Sequence, residues 1–444
     1  MINLQHGFYL EVANRYDTMR KVVWLISCAL FLITPFIQAQ ISPQDAVPRY
    51  KIVIKGGHVI DPKNNINELM DLAIQDGRIV LIAKNIDAAQ AAQVVNAKGL
   101  FVTPGLIDLH THVFAGTEPN HAYSNGSSAL APDGYTFRAG VTTIVDCGGA
   151  GWRSFLTFKK NIIESSQTRV LSFLNIVGWG MRGEPTWEQD INDMDPVKAA
   201  EMAKANPEHI VGFKLAHFRD SSWVPTDRAV EAGNLANLPV IVDFGGDNSH
   251  APLSIEELFF KHLRPGDIYT HAFTELPRRD PIVDLKTRTL KPFIIPAQKR
   301  GIIFDVGFGG ASFDFRQAIP ALKARFYPNT MGTDLHIGSM NGAMKNQLNV
   351  LSIFMAMGMD MFSVIKGSTW APARAIKREE LGNLSLGAIA DVAIIGIRKG
   401  DFGFRDIAGH RQAGKSKLEC EMTIKGGKIV YDLNAIASNL PARK

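Results

Sequence analysis

Short hydrophobic runs alternate with stretches of helical period along most of this 444-residue chain. From about residue 100 the runs are almost purely apolar, which is typical of parallel strands buried on both faces rather than of strands with one solvent-exposed face. We predict eight strands from them: Leu106–His110, Thr142–Cys147, Val170–Val177, Val211–Lys214, Val240–Phe244, Ile268–Phe273, Gly301–Val306 and Thr330–Asp334. Helices are predicted between them at Pro196–Lys204, Asp227–Ala236, Ser254–His262, Leu290–Lys299 and Arg316–Ala324.

Eight buried strands that alternate with helices over about 250 residues are the pattern of a (β/α)8 barrel. The pattern therefore predicts an α/β fold with a TIM barrel over residues 105–378.

Both ends of the remaining chain have β patterning. Strands are predicted before the barrel at Tyr50–Ile54, Asp71–Ile74 and Arg78–Ile82, with a hairpin turn at Asp76-Gly77. Strands are predicted after it at Leu384–Ala388, Ala390–Ile395, Cys420–Ile424 and Ile429–Asp432. We expect residues 50–104 and 379–434 to form one small composite β domain, into which the barrel is inserted.

The first 40 residues have the features of an export signal. Arg20 and Lys21 precede an apolar stretch that ends in small and polar residues near Gln40. We expect translation to start at Met19, the signal region 1–40 to be removed, and the protein to be periplasmic or secreted. Two alternatives keep it on a membrane: a retained apolar segment, or a lipid anchor on Cys28.

Composition excludes some functions. The formal net charge is +5, charged residues make up 20% of the chain, and no run of like charges predicts a nucleic-acid partner. Beyond the signal region the only cysteines are Cys147 and Cys420, which we interpret as buried thiols because a domain of this size needs no disulfide.

Candidate chemistry lies where the predicted strands end. Alternate residues of a strand face the same side, so His110 and His112 of the first strand point together at the active face of a barrel. The pair alone fits either a divalent metal or two hydrogen-bonded structural histidines. Potential ligands also end four other strands: Lys214, Asp243, His271 and Asp334. Their convergence on one barrel axis favours a metal site.

These residues resemble the motifs of the amidohydrolase superfamily of metal-dependent hydrolases. The likeness rests on "PGLIDLHTH", Lys214, His271 and "TDLH", in that order. The stretches "GVTTIVDCGGAG", "DVGFGGASFDF" and "TDLHIGSMN" are most similar to its bacterial deacetylase branch, once labelled dihydroorotase-like. The resemblance also implies a composite β-sandwich beside the barrel.

The resemblance implies a binuclear site, usually of zinc. His110, His112 and Asp334 would hold the more buried ion, and Lys214, carboxylated by CO2, would bridge both. His271 and Asp243 would hold the second ion, and Asp334 would act as general acid and base.

The chain departs from the family pattern at two positions. Asp243 stands where a histidine is usual, so the second ion is either held by a carboxylate or lost, with His250 as a less favourable substitute ligand. Phe308 also stands where the deacetylase branch tends to have histidine.

The implied activity is hydrolysis of an amide or ester acyl group on a small molecule, such as an N-acyl amino acid or an acetylated hydroxy acid. Two alternatives stay open: a cyclic amidase of the dihydroorotase or hydantoinase type, and an exported binding protein with a degenerate metal site. The oligomeric state also stays open, a homo-oligomer included. Candidate substrate contacts follow the strands: Trp152, Arg153, Trp179, Arg182, His217, Arg219, Ser339 and Asn341.

Overall fold

The computed structural model describes residues 48–115, 128–181, 187–243 and 252–439. The predicted signal region, Arg182 and His250 lie outside the described residues. The strands, in chain order, are β1 (Tyr50–Asp61), β2 (Ile66–Gln75), β3 (Arg78–Ala83), β4 (Ala91–Asn96), β5 (Phe101–Pro104), β6 (Leu106–Thr111), β7 (Val141–Gly151), β8 (Arg169–Asn175), β9 (Ile210–Leu215), β10 (Val240–Val242), β11 (Ile268–Tyr269), β12 (Ile303–Phe304), β13 (Val392–Arg405), β14 (Arg411–Lys425), β15 (Lys428–Asp432) and β16 (Ala437–Asn439).

Helices separate the consecutive strands from β7 to β13. The α-helices are Phe155–Phe158, Pro196–Ala205, Val224–Ala236, Ile255–Glu257, Ile294–Arg300, Phe315–Lys323, Ile337–Asn341, Gln347–Ala356, Met361–Gly367 and Trp370–Ala375. Two of the shorter ones continue as π-helical turns, at Lys159–Ile163 and Leu258–His262. Every predicted helix is present, although the one expected at Ser254–His262 is half π-helical.

Strands β6 to β12 form one parallel sheet in which neighbours in sequence are neighbours in space. Seven of the eight predicted barrel strands are therefore confirmed. The last two, β11 and β12, have only two residues each, which is shorter than predicted. Soon after them the backbone enters the left-handed region, at His271 (φ +57°) and Gly307 (φ +47°), and extended geometry ends.

The eighth predicted strand, Thr330–Asp334, is not regular. Isolated parallel bridges join it to both edges of the sheet, from Thr330 to Asp305 and from Leu335 to Thr111. Side-chain carboxylates replace part of its ladder: Asp305 accepts the Gly332 N–H at 2.9 Å, and Asp108 accepts the Thr333 N–H at 3.0 Å. The segment thus pairs with both edges of the curled sheet without meeting the definition of a strand.

A second, mixed sheet contains strands from both ends of the described chain. Its order is β15-β14-β13-β5-β1-β2-β3, with β4 attached to β1 and β16 attached to β4. β5 joins the two contributions by pairing antiparallel with β13. The Asp76-Gly77 hairpin turn is confirmed, and both residues have the positive φ (+49° and +74°) that a type I′ turn requires. The domain boundaries stay predictions.

The prediction of a strand at Leu384–Ala388 is wrong. This segment contains a turn with Gly387 at φ +81°, and it contacts β3 through hydrogen bonds of Ile79 and of the Arg78 guanidinium with residues 387 and 388. In contrast, β13 and β14 run on as a long hairpin beyond the predicted apolar runs.

One smaller prediction can also be compared with the structure. Cys147 and Cys420 are buried free thiols, as expected. Within the described residues, no helix has both the length and the apolar character needed to cross a membrane.

Candidate metal centre

Four of the predicted ligands come together at the carboxyl end of the parallel sheet. Ligand atoms of His110, His271 and Asp334 lie within 4.8 Å of one another. Asp334 Oδ1 lies 2.8 Å from His112 Nε2 and 3.6 Å from His110 Nε2. All four residues are at most 9% exposed. We refer to them as the His–Asp cluster.

Hydrogen bonds behind the cluster fix the two inner imidazoles. His110 Nδ1 lies 2.9 Å from Thr270 Oγ1, which donates to Asp305 at 2.8 Å. His271 Nδ1 lies 2.5 Å from the Gly307 carbonyl oxygen. Each histidine therefore keeps Nε2 for the cluster, which is the arrangement that orients metal-binding histidines.

Burial and the nearby Lys214 charge lower the pKa of His110 to about 3. The imidazole is then neutral at pH 7, the form that binds a metal. Burial disfavours a charged Asp334, but the imidazoles of His110 and His112 outweigh it and hold the pKa of that carboxyl well below its ordinary value. The cluster thus offers neutral nitrogen donors and a carboxylate.

Close packing holds Asp334 in an unusual backbone conformation. Its φ is +53°, which is uncommon for a residue other than glycine. A Cβ atom on Gly309 would collide with Asp334 Oδ2. The Ser339 hydroxyl donates to the Asp334 carbonyl oxygen at 2.8 Å. Ser339, a candidate substrate contact in the sequence, is therefore a buried support of Asp334.

Lys214 is fully buried on β9, and its Nζ has no hydrogen-bond partner among the described residues. The titratable groups that interact with it electrostatically include Cys147, Asp243 and Asp334. Leaving a buried ammonium without hydrogen bonds is costly. The residue therefore lies where a ligand or a chemical modification would satisfy it.

The structure places Asp243 in an ion pair that the sequence did not indicate. Its Oδ1 accepts a bond from Arg279 Nη2, and its Oδ2 lies 3.2 Å from His217 Nε2 and 3.4 Å from His271 Nε2. Arg279 follows β11 in a loop and no motif marked it. The role of Asp243 as a metal ligand stays a prediction. His217, a candidate substrate contact in the sequence, is a partner of Asp243.

Two other sequence candidates have structural partners. Arg153 pairs with Asp193 at 2.7 Å and lies over the Trp152 ring. Phe308 is fully buried and stacks on Phe313 with ring centroids 4.3 Å apart. The phenylalanine at this position thus extends the hydrophobic core, where a histidine would have added a polar group.

Replacing Thr270 with valine tests whether its hydrogen bond orients the His110 imidazole for metal binding. Valine keeps the shape but removes the hydroxyl, and we expect metal affinity to fall about 10- to 100-fold, as for other partners of metal-binding histidines. Competition with a chelator would measure it. Thr330→Val is the matched control, because Thr330 also donates to Asp305, at 2.6 Å, whereas the hydrogen bond of His110 Nδ1 is with Thr270. Equal affinities for the Thr270 variant and the unaltered chain would contradict the assignment.

Comparison with known proteins gives matches over most of the chain. A family described as "Amidohydrolase family" matches residues 311–430. A curated deacetylase from Brucella anthropi is 30% identical over 346 residues, which cover 76% of this chain and 81% of that protein. Two solved structures align over 86% of this chain: an adenine deaminase (TM-score 0.77, 25% identity, all of its chain) and a dihydroorotase (TM-score 0.73, 26% identity, 99% of its chain).

Proposed function

This chain belongs to the amidohydrolase family, and we propose that it hydrolyses the amide or ester bond of an acylated small molecule at a metal held by the His–Asp cluster. The observation that carries the proposal is the convergence of three buried imidazoles and one carboxylate on a single point. The deacetylase from Brucella anthropi supports acyl cleavage in particular.

The donor set fits a zinc ion, which takes imidazole nitrogen and carboxylate oxygen as ligands. His110, His112, His271 and Asp334 would hold it. When bound, such an ion supplies Lewis acidity and lowers the pKa of a water molecule to about 7.

Asp334 would then move the proton. As a carboxylate with Oδ1 toward the histidines, it can accept a proton from the attacking water and deliver it to the leaving group. The surrounding buried residues exclude bulk water, which strengthens each of these interactions.

We further propose that Lys214 is carboxylated by CO2 and that the carbamate is a metal ligand. The support is its buried Nζ, which has no hydrogen-bond partner among the described residues and interacts electrostatically with Asp243 and Asp334. A carbamate would replace an ammonium group that lacks a hydrogen-bond partner among the described residues with an anionic oxygen donor.

For the fold, we propose that the segment 330–335 closes the parallel sheet into an eight-stranded barrel with the mixed sheet as a composite domain. The bridges from this segment to Asp305 and Thr111 support closure. Strands from both ends of the chain in one sheet support the composite domain.

Replacing Gly309 with alanine tests the placement of Asp334. The added Cβ would push on Oδ2, and φ at Gly309 is +62°, so we expect kcat to fall about 100-fold, as small misplacements of catalytic groups can cause. Gly310→Ala is the control, because its Cβ would make only ordinary contacts, with the His336 ring at 3.4 Å and the Ser339 backbone nitrogen at 3.8 Å. Similar kcat values for both variants would argue against this placement.

A panel of zinc-reconstituted reactions tests the function. N-acetyl amino acids and acetylated hydroxy acids would report acyl release, and dihydropyrimidines and hydantoins would report ring opening. We expect acyl release. Ring opening alone would favour the cyclic amidase, which the dihydroorotase structure supports. No reaction with any compound, despite bound zinc, would favour the binding protein.

We also propose that the protein is exported through the signal at residues 19–40. The support is the charged and apolar pattern of that stretch. Sequencing the amino terminus of the protein from a periplasmic fraction would test it, and a terminus that still begins at or before Met19 would contradict it.

A further inference from the structure

A chain of polar side chains lies beside the His–Asp cluster, buried except for His217, whose side chain is 41% exposed. Glu188 Oε2 lies 2.8 Å from His217 Nδ1, and His217 Nε2 lies 3.2 Å from Asp243, which also pairs with Arg279. Glu188, Asp243 and Arg279 are only 3%, 4% and 6% exposed. We refer to these four residues as the Asp243 network.

The network occupies both oxygens of Asp243. Oδ1 accepts from Arg279, and Oδ2 faces His217 and His271. A second metal ion at Asp243 and His271 would have to displace the guanidinium. It would then lie beside a buried cation that had lost its partner, which is a strongly unfavourable arrangement. The residues at this position therefore do not fit a second metal ion.

Arg279 has hydrogen-bond donors that the pair with Asp243 does not use. Among the described residues, neither its Nε nor its Nη1 has a hydrogen-bond partner, although both atoms are buried. Buried guanidinium groups normally have hydrogen-bond partners, so we expect an acceptor to bind these two donors. Through Asp243 the same guanidinium is connected to His271 of the His–Asp cluster, 3.4 Å from Asp243 Oδ2.

We propose that Arg279 takes the place of the second metal: the chain binds one divalent ion, and the Nε and Nη1 groups of Arg279 donate to an oxygen of the substrate. This rests on the proposed function, with Arg279 as the group that polarises or holds the acyl substrate where a second ion would otherwise act.

Zinc content decides the first half of the proposal. The full mature chain, reconstituted with zinc in bicarbonate buffer and freed of excess metal, should hold one zinc per chain by elemental analysis. The double variant Asp243→His/Arg279→Met replaces the ion pair with a neutral donor and a neutral side chain, and it should hold two. Arg278→Met, at the neighbouring exposed arginine, should hold one. Two zinc ions in the unaltered chain would overturn the proposal.

Kinetics with the substrate found in the panel decide the second half. Arg279→Met should lower kcat/KM by about 10²- to 10³-fold, the range for loss of one donor to a developing oxyanion, while zinc content stays at one. Arg279→Lys keeps the charge and should recover part of the loss. Unchanged kinetics in both variants would overturn the substrate role. If no acyl compound is hydrolysed, the proposed function fails, but the zinc count still decides the occupancy.

Discussion

Replacing Asp334 with asparagine is expected to lower kcat by about 10²- to 10⁴-fold, the usual contribution of a general acid and base. Asparagine keeps the size of the side chain and one oxygen for the histidines, but it cannot accept the proton of the attacking water. It also tolerates the left-handed backbone of this position, where φ is +53°, so the fold should persist. Steady-state kinetics with the acyl substrate, together with zinc content and melting temperature, would measure the effect.

The matched control is Asp314→Asn in a second group of potential ligands, Asp314, Asp406 and His410. The carboxylates of that group already have donors. Asp314 pairs with Arg316 at 2.7 Å, and Asp406 accepts the Phe315 N–H at 3.0 Å. We expect this variant to retain kcat and zinc content. If Asp334→Asn retained more than about a tenth of kcat, Asp334 would not be the proton carrier.

The sequence was informative where burial alone decides structure. Buried parallel strands are continuous apolar runs, so β6 to β10 begin within a residue or two of their predicted positions. Alternation along β6 then placed His110 and His112 on one side. The prediction failed where the chain turns to present ligands. The strand expected to reach Phe273 ends at Tyr269, because His271 leaves the extended conformation to face the cluster.

The pairing of Arg279 with Asp243 could not be predicted from the sequence, and the reason is a different one. It lies in a long loop, and an arginine in a loop is normally exposed and mobile. Its position depends on tertiary packing that brings the loop over Asp243, 36 residues earlier in the chain. The only signal was indirect: an aspartate at the end of a buried strand needs a cation, and the sequence does not say whether a metal or a side chain provides it.

Replacing Lys214 with methionine is expected to have opposite effects on function and on stability. Without the carbamate, we expect zinc affinity and kcat/KM to fall more than about 100-fold, beyond the range for the outer partners of metal ligands. Methionine has a similar length and no charge, and it removes an unpartnered buried amine. The metal-free variant should therefore be as stable as the metal-free parent, or more stable by about 1–3 kcal/mol, the cost of an unsatisfied buried polar group.

Chemical denaturation of both metal-free proteins would give the stability difference, and zinc titration with and without bicarbonate would give the role of CO2. In the parent, removal of CO2 should weaken zinc binding and its return should restore it, whereas Lys214→Met should not respond. Lys299→Met, at an exposed helix position, controls for the loss of a lysine as such. A Lys214 variant that binds zinc and hydrolyses substrate like the parent would show that the amine is not carboxylated. The buried Nζ would then lower the stability of the fold without contributing to catalysis, whereas destabilising groups at active sites usually serve function.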